Sequence, residues 1–293
     1  MKKINKAYPA LFFAMMFWGL SFVWTRQLLD VFTPLLIIFI RLVLSFFLLY
    51  SIAKASKKLQ KIQKKDIPFL IFLSFTQPFL YFIFEGYGIK FTSASIASIL
   101  IATIPLFTPV GAYLLFREKL TRMNILGLFI SFAGVILVVL EFGNNFIFSW
   151  LGILMLFLAV ITGTIYGLGL KKLTSNYNSI SITTFQNLIG IGLFLPLIVL
   201  FEWNNLLEFP SLITYDLAFS FVNLALFASS FAFVLFTYSI SKIGASKASA
   251  FSNSIPVFTL IFAYFVLNES ISLIKLLGVA IVLFGLYLSQ IKK

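Results

Sequence analysis

Tyr87 to Leu137 reads YGIKFTSASIASILIATIPLFTPVGAYLLFREKLTRMNILGLFISFAGVIL, and Tyr238 to Leu288 reads YSISKIGASKASAFSNSIPVFTLIFAYFVLNESISLIKLLGVAIVLFGLYL. The two stretches superpose without a gap, and about a third of their positions are identical. Ala94, Ser95, Ala97 and Ser98 fall on Ala245, Ser246, Ala248 and Ser249. Ile104-Pro105 falls on Ile255-Pro256, Glu118 on Glu269, and Gly127 and Gly134 on Gly278 and Gly285. Shared apolar composition matches leucines by chance, but it does not bring a proline, a glutamate and two glycines into one register. The chain is therefore expected to contain two copies of one unit, residues 1–143 and 144–293.

What the unit is follows from composition. Of 293 residues, 61% are hydrophobic and 11% charged, against about a quarter charged in a soluble domain. The apolar residues come in runs of about 20, and a helix of that length rises about 30 Å, the thickness of bilayer hydrocarbon. Lipid offers the backbone no hydrogen bonds, so spans must be helices or closed barrels. The runs are continuous rather than alternating, which argues against a barrel. The expected class is an all-α integral membrane protein with spans near 8–28, 34–53, 67–88, 93–116, 121–140, 148–170, 180–201, 213–239, 245–267 and 271–289. No length remains for a soluble domain. Lys2, Lys3 and Lys6 precede the first run, but no small-residue cleavage site follows it, so it reads as a retained helix rather than a signal peptide.

The repeat unit then holds five helices, an odd number. Its second copy must enter the membrane from the opposite side, giving the inverted repeat found in many secondary transporters. With the N-terminus inside, the inner loops and termini carry 18 lysines and arginines, from Lys2 through the stretch Lys54–Lys65 to Lys293. The outer side carries three, Arg26, Lys90 and Lys275, and Arg41 is left within a span. The positive-inside rule places both termini in the cytoplasm of a cell (plasma or inner) membrane. The net charge of +13 thus meets the anionic inner leaflet, not nucleic acid. The chain has no Cys and no His, which excludes disulfides, thiol catalysis and the usual zinc sets, so no metal or cofactor is expected.

Polar groups inside spans are costly and usually face the bundle interior. Arg41 reads either as an anion site for a substrate carboxylate or phosphate, or as a side chain that snorkels to the interface. Glu85 reads as a partner for Arg41, a cation site or a proton carrier, or as an interfacial structural carboxylate. Glu118 and Glu269 each precede a helix and read as caps that offset its dipole. Pro105 and Pro256 lie mid-span and free a carbonyl one turn earlier, which suits a hinge or the shaping of a cavity. Trp150 and Trp203 sit at span ends as an interfacial belt.

The chain resembles the drug/metabolite transporter superfamily, specifically its EamA-type ten-helix members. The resemblance rests on Phe17-Trp18-Gly19-Leu20-Ser21-Phe22, Arg41-Leu42, Ala94-Ser95 to Pro105, Phe116-Arg117-Glu118-Lys119-Leu120 and Gly127 to Gly134. It recurs in Ala245-Ser246 to Pro256, Asn268-Glu269 and Gly278 to Gly285. The sixth helix departs, with Ile161 to Tyr166 where the family often has a tryptophan. The resemblance implies a basket of helices around a central cavity and metabolite transport without ATP. Cavity lining is then expected from Trp18, Ser21, Trp24, Gln77, Tyr81, Thr103, Thr162, Tyr166, Asn223, Ser252 and Asn253, beside Arg41 and Glu85. Aromatic walls with a few convergent polar groups suit a small amphiphilic metabolite.

The reading is a secondary transporter of small polar or amphiphilic metabolites, an exporter of amino acids or related compounds. The alternatives are a flippase for lipids or lipid-linked carriers, which wants a strongly basic pocket, and an intramembrane enzyme, which wants a nucleophile with a base. The expected partners are a small-molecule substrate and the bilayer. One chain already holds a whole transport path, so a monomer suffices and a homodimer stays open.

Overall fold

Small polar side chains decide where the helices begin, because a helix's first turn leaves amide donors without intrahelical acceptors. Thr33 Oγ1 accepts from the Leu36 amide at 3.3 Å, ahead of a helix whose first residue, Pro34, has no amide to satisfy. Ser93, Asn178 and Thr214 accept in the same way from Ile96, Ser181 and Leu217. Thr121 and Asn124 each accept from the other's amide, at 2.9 and 3.1 Å.

The computed structural model describes residues 6–116, 121–141 and 150–289, and the regular structure within them is helical. In chain order the main helices are α1 (Ala7–Leu29), α2 (Pro34–Ala55), α3 (Lys64–Phe91), α4 (Ala94–Ile101 with Ile104–Phe116), α5 (Arg122–Glu141), α6 (Trp150–Thr174), α7 (Ser179–Phe201), α8 (Tyr215–Ile243), α9 (Lys247–Leu267) and α10 (Leu273–Ser289). A short exposed helix, Trp203–Leu212, joins α7 to α8. Eight of these, α1 to α4 and α6 to α9, are long and apolar enough to cross a membrane. The apolar parts of α5 and α10, Arg122–Leu137 and Leu273–Leu288, are shorter than the full spans expected there.

Both ends of the bundle can be followed through side chains. At one end, Ser239 Oγ on α8 donates to the Ala7 carbonyl at the start of α1, and the Tyr8 ring meets Phe251 of α9. The α2–α3 connection docks at this end too: the Gln60 amide donates to Ser181 Oγ, and the Gln63 amide to the hydroxyl of Tyr177. At the other end, Ser220 of α8 bonds Gln27 near the end of α1. α1 and α8 thus run in opposite directions.

α5 and α10 pack on each other through glycines. A Cβ on Gly134 would lie 2.7 Å from the Gly278 carbonyl oxygen, and one on Gly285 would lie 2.7 Å from that of Gly127. Between these close approaches Ser131 Oγ donates to the Val282 carbonyl at 2.9 Å. Small residues let helix backbones approach where lipid supplies no hydrophobic drive between helices.

The expectation that Glu269 caps α10 is corrected. Ser272 Oγ accepts from the Lys275 amide at 3.0 Å and is the cap. Glu269 lies three residues further back, where its carboxylate is taken by the Ser95 hydroxyl and the Lys275 ammonium. The matching expectation for Glu118 falls outside the described residues. Pro105 and Pro256 stand at the second position of the helical segments beginning at Ile104 and Ile255, each just after a break in the preceding helix. Trp150 and Trp203 are exposed, as a lipid-facing belt requires.

The packing of α5 on α10 makes a direct test. Gly134→Ala is expected to lose about 1–3 kcal/mol by overpacking backbone against backbone. Gly192→Ala, which meets nothing within 4 Å, should leave stability unchanged or slightly raised. Thermal unfolding in detergent compares the two.

Candidate functional site

Two long helices lose their regular form where they border one space. In α3, Gln77 is extended (φ −153°, ψ 120°) just before Pro78, whose ring cannot sit in a continuous helix. In α8, residues Leu224–Ala232 widen into a π turn. Irregular backbone at membrane depth is tolerated where protein covers it or where it lines a cavity. Here it does both. The Gln77 break turns Gln77 toward the interior, and the π turn presents Ser229 and Ser230 to α2.

Those serines hold α2 in place. Arg41 and Ser45 are one turn apart on the same helix face. Arg41 Nε donates to Ser229 Oγ at 2.7 Å, and Ser45 Oγ lies 2.6 Å from Ser230 Oγ. Asn187 of α7 closes the cluster by donating to Ser45 Oγ at 2.7 Å. The guanidinium also lies over the Phe82 ring, 4.2 Å from its centroid, a favourable cation–π contact when desolvated. An arginine at the centre of a span costs about 2.5–3.5 kcal/mol to insert. A hydrogen bond to a charged group and a desolvated ring contact are together of the same order.

The remaining face of Arg41 looks into a central cavity. Glu85 lines the same cavity and accepts from the Tyr81 hydroxyl at 2.8 Å. Both charged residues are buried, Arg41 at 3% and Glu85 at 8% exposure. They do not pair with each other: the ion pairs within 4 Å among the described residues are Arg26–Asp30 and Lys275–Glu269. A cation and a carboxylate therefore share one chamber, each tied to a neutral partner. The rest of the wall is apolar and aromatic, with Phe22, Phe82, Phe233 and Phe236 among its members. The lining continues through Gly167, Ile240, Ala245 and Ser249, toward the end of the bundle where α1 begins.

Of the residues expected at this site, Trp18, Ser21, Arg41, Gln77, Tyr81, Glu85, Tyr166 and Ser252 line the cavity together. Five do not. Trp24 stacks on Phe227 instead. Thr103 and Thr162 turn their hydroxyls back onto carbonyls of their own helices, and the Asn223 amide does the same. Asn253 is partly buried away from the cavity, and its Oδ1 has no partner among the described residues. A helix with two polar neighbours sends only one of them inward, and the spacing alone did not say which. Gly163, Gly167 and Thr108 were missed. Of the two glycines on α6, Gly167 leaves open space, with nothing within 4 Å of where a Cβ would stand, whereas Gly163 lets Tyr81 and Ile104 pack close against the helix; small residues amid bulky ones were the available signal. Pro78, inside an apolar run, was likewise the legible sign of the break in α3.

A narrower polar space adjoins the cavity, bounded by Thr183, Gln186, Asn187 and Ser229, with Gln77, Tyr166, Phe82 and Phe233 shared between the two. The Tyr166 hydroxyl donates to Gln186 Oε1 at 3.1 Å, while Gln186 Nε2 is buried without a partner among the described residues.

Comparison with known proteins agrees with this architecture. A model of the EamA-like transporter family matches residues 5–140 and again 150–290. The uncharacterized transporter YetK of Bacillus subtilis is 28% identical, over 100% of this chain and 89% of its own length. An uncharacterized transporter of Archaeoglobus fulgidus is 27% identical over 97% of this chain and 98% of its own. A solved structure titled only as the crystal structure of a protein superposes with a TM-score of 0.71 at 16% identity, covering 97% of this chain and 96% of the other. That likeness shows the fold alone.

Tyr166→Phe would remove the Gln186 amide's side-chain partner at its oxygen and, among the described residues, its nitrogen already has none. The expected outcome is a loss of about 1–3 kcal/mol, the cost of an unsatisfied buried group, seen as a lower thermal midpoint in detergent.

Proposed function

The chain belongs to the EamA-like transporter family, and we propose that it is a secondary transporter that exports amino acids or closely related zwitterions without ATP. That it is a multi-pass membrane protein and a transporter rather than an enzyme follows from the family and the apolar helices. The substrate class rests on one observation. Arg41 and Glu85 line one cavity and remain unpaired with each other, each held by a neutral group. A molecule carrying a carboxylate and an ammonium completes both at once. The carboxylate goes to Arg41, which is suited to it by its planar set of donors, and the ammonium goes to Glu85. The aromatic wall takes the side chain. A bare phosphate would satisfy Arg41 and leave Glu85 facing a like charge.

The proposed architecture is ten spans in two inverted five-helix halves, 1–143 and 144–293. The contacts of α5 with α10 support it. Gly134 against Gly278 and Gly285 against Gly127 are the same contact seen from either half, because each glycine is 151 residues from its counterpart. Ser131 and Val282, also 151 apart, bond each other between them. A residue touching its own repeat mate is what a two-fold axis requires. Two related packings of one design are the physical basis for alternating access. With both termini cytoplasmic in a cell membrane, the cavity extends toward the inner side, where a substrate for export is loaded. One chain contains the whole path, so a monomer suffices.

Transport into and out of reconstituted vesicles tests the assignment. Arg41→Gln and Glu85→Gln are each expected to raise the half-saturating concentration of a zwitterionic amino acid by about tenfold or more, the worth of one charge-assisted contact. An amino-acid amide, which lacks the carboxylate, should be insensitive to Arg41→Gln, and an N-acetyl amino acid should be insensitive to Glu85→Gln. Equal transport of zwitterions by the parent and both variants would refute the substrate class.

A further inference from the structure

The cavity ends abruptly on one side. Along α4 its lining begins at Ile101 and runs to Thr108. Toward the start of α4 the helix is closed in: Ala94 to Ile101 are all buried, and Ser95 is 0% exposed. Ser95 lies six residues before Ile101, about 9 Å along the helix. Its hydroxyl donates to Glu269, in the connection between α9 and α10. The same carboxylate is 3.5 Å from the ammonium of Lys275, which is 1% exposed and also donates to the Ser270 carbonyl at 3.3 Å.

The three members of this cluster are not equivalent. Glu269 and Lys275 belong to one short stretch of chain and move together. A buried ion pair is strongly penalised when one partner leaves, so this pair stays closed through any rearrangement. The Ser95–Glu269 bond is different, because it joins separate parts of the chain. Ser95 falls in the first stretch matched by the family model, and Glu269 and Lys275 fall in the second. It is a single hydroxyl–carboxylate bond, strong enough to bias a packing and weak enough to be exchanged.

We propose that Ser95, Glu269 and Lys275 form a latch that holds the cavity shut on the side away from the N-terminus. Lys275 is a positioning residue: it fixes the carboxylate, and the carboxylate receives Ser95. Releasing Ser95 lets the start of α4 move off the α9–α10 connection and exposes the cavity to the far side. The latch thus sets how the chain divides its time between the two openings. It rests on the alternating-access reading above and does not depend on which substrate is carried.

The natural absence of cysteine allows a clean test. Ile101→Cys places one thiol at the cavity's closed end. Intact cells receive a membrane-impermeant maleimide from outside, and the labelling rate is measured in the full chain. Adding Ser95→Ala is expected to raise that rate about tenfold, the population shift for losing one hydrogen bond to a charged group. Glu269→Gln should raise it in the same direction. Thermal unfolding of each variant in detergent separates latch release from collapse, since Ser95→Ala leaves the ion pair in place. If Ser95→Ala labels no faster than its parent while remaining folded, the latch is overturned. If labelling rises as expected but no zwitterion crosses vesicles, the latch stands and the substrate assignment fails instead.

Discussion

A guanidinium held inside a hydrocarbon slab has to find its partners within the protein, and much of this structure is arranged around that constraint. Arg41 is met by a serine, a phenylalanine ring and a cavity. Supplying the serine requires α8 to widen into a π turn so that Ser229 and Ser230 face α2. Closing the same cluster requires Asn187 on α7. The departures from regular helix at Gln77 and at Leu224–Ala232 both border this region. They are affordable because protein covers them on one side and the cavity lies on the other.

The second constraint is space. Lipid does not press helices together as water does, so close approach depends on small residues. Gly167 does for the cavity the opposite of what Gly134 and Gly285 do for the α5–α10 contact. In one place the missing side chain leaves space, and in the other it lets two backbones meet. The same residue type thus builds the chamber and the seam beside it, and only the neighbours decide which.

The fold was legible in the sequence to the extent that length and periodicity carry it. The long helices follow from apolar runs of span length, and the start signals at Thr33, Ser93, Asn178 and Thr214 are ordinary caps. The site was legible wherever burying a residue is expensive enough to demand an explanation, as with Arg41, Glu85 and Gln77. It was not legible where a cheap alternative existed. Thr103, Thr162 and Asn223 can satisfy themselves on their own backbones, and they do. Glu269 was misread for a related reason. Its place before a helix suggests a cap, but Ser272 lies closer to the first turn, and a buried lysine far from solvent competes more strongly for the carboxylate.

The central claim is that this cavity carries a zwitterion outward through contacts to Arg41 and Glu85. Untargeted mass spectrometry of the growth medium tests it most directly, comparing cells that produce the natural chain with cells that produce Arg41→Gln at equal membrane abundance. The expected result is one or a few metabolites bearing both an ammonium and a carboxylate that accumulate outside only when Arg41 is intact. Accumulation of an uncharged or purely anionic solute, or an identical medium from both cultures, would contradict it.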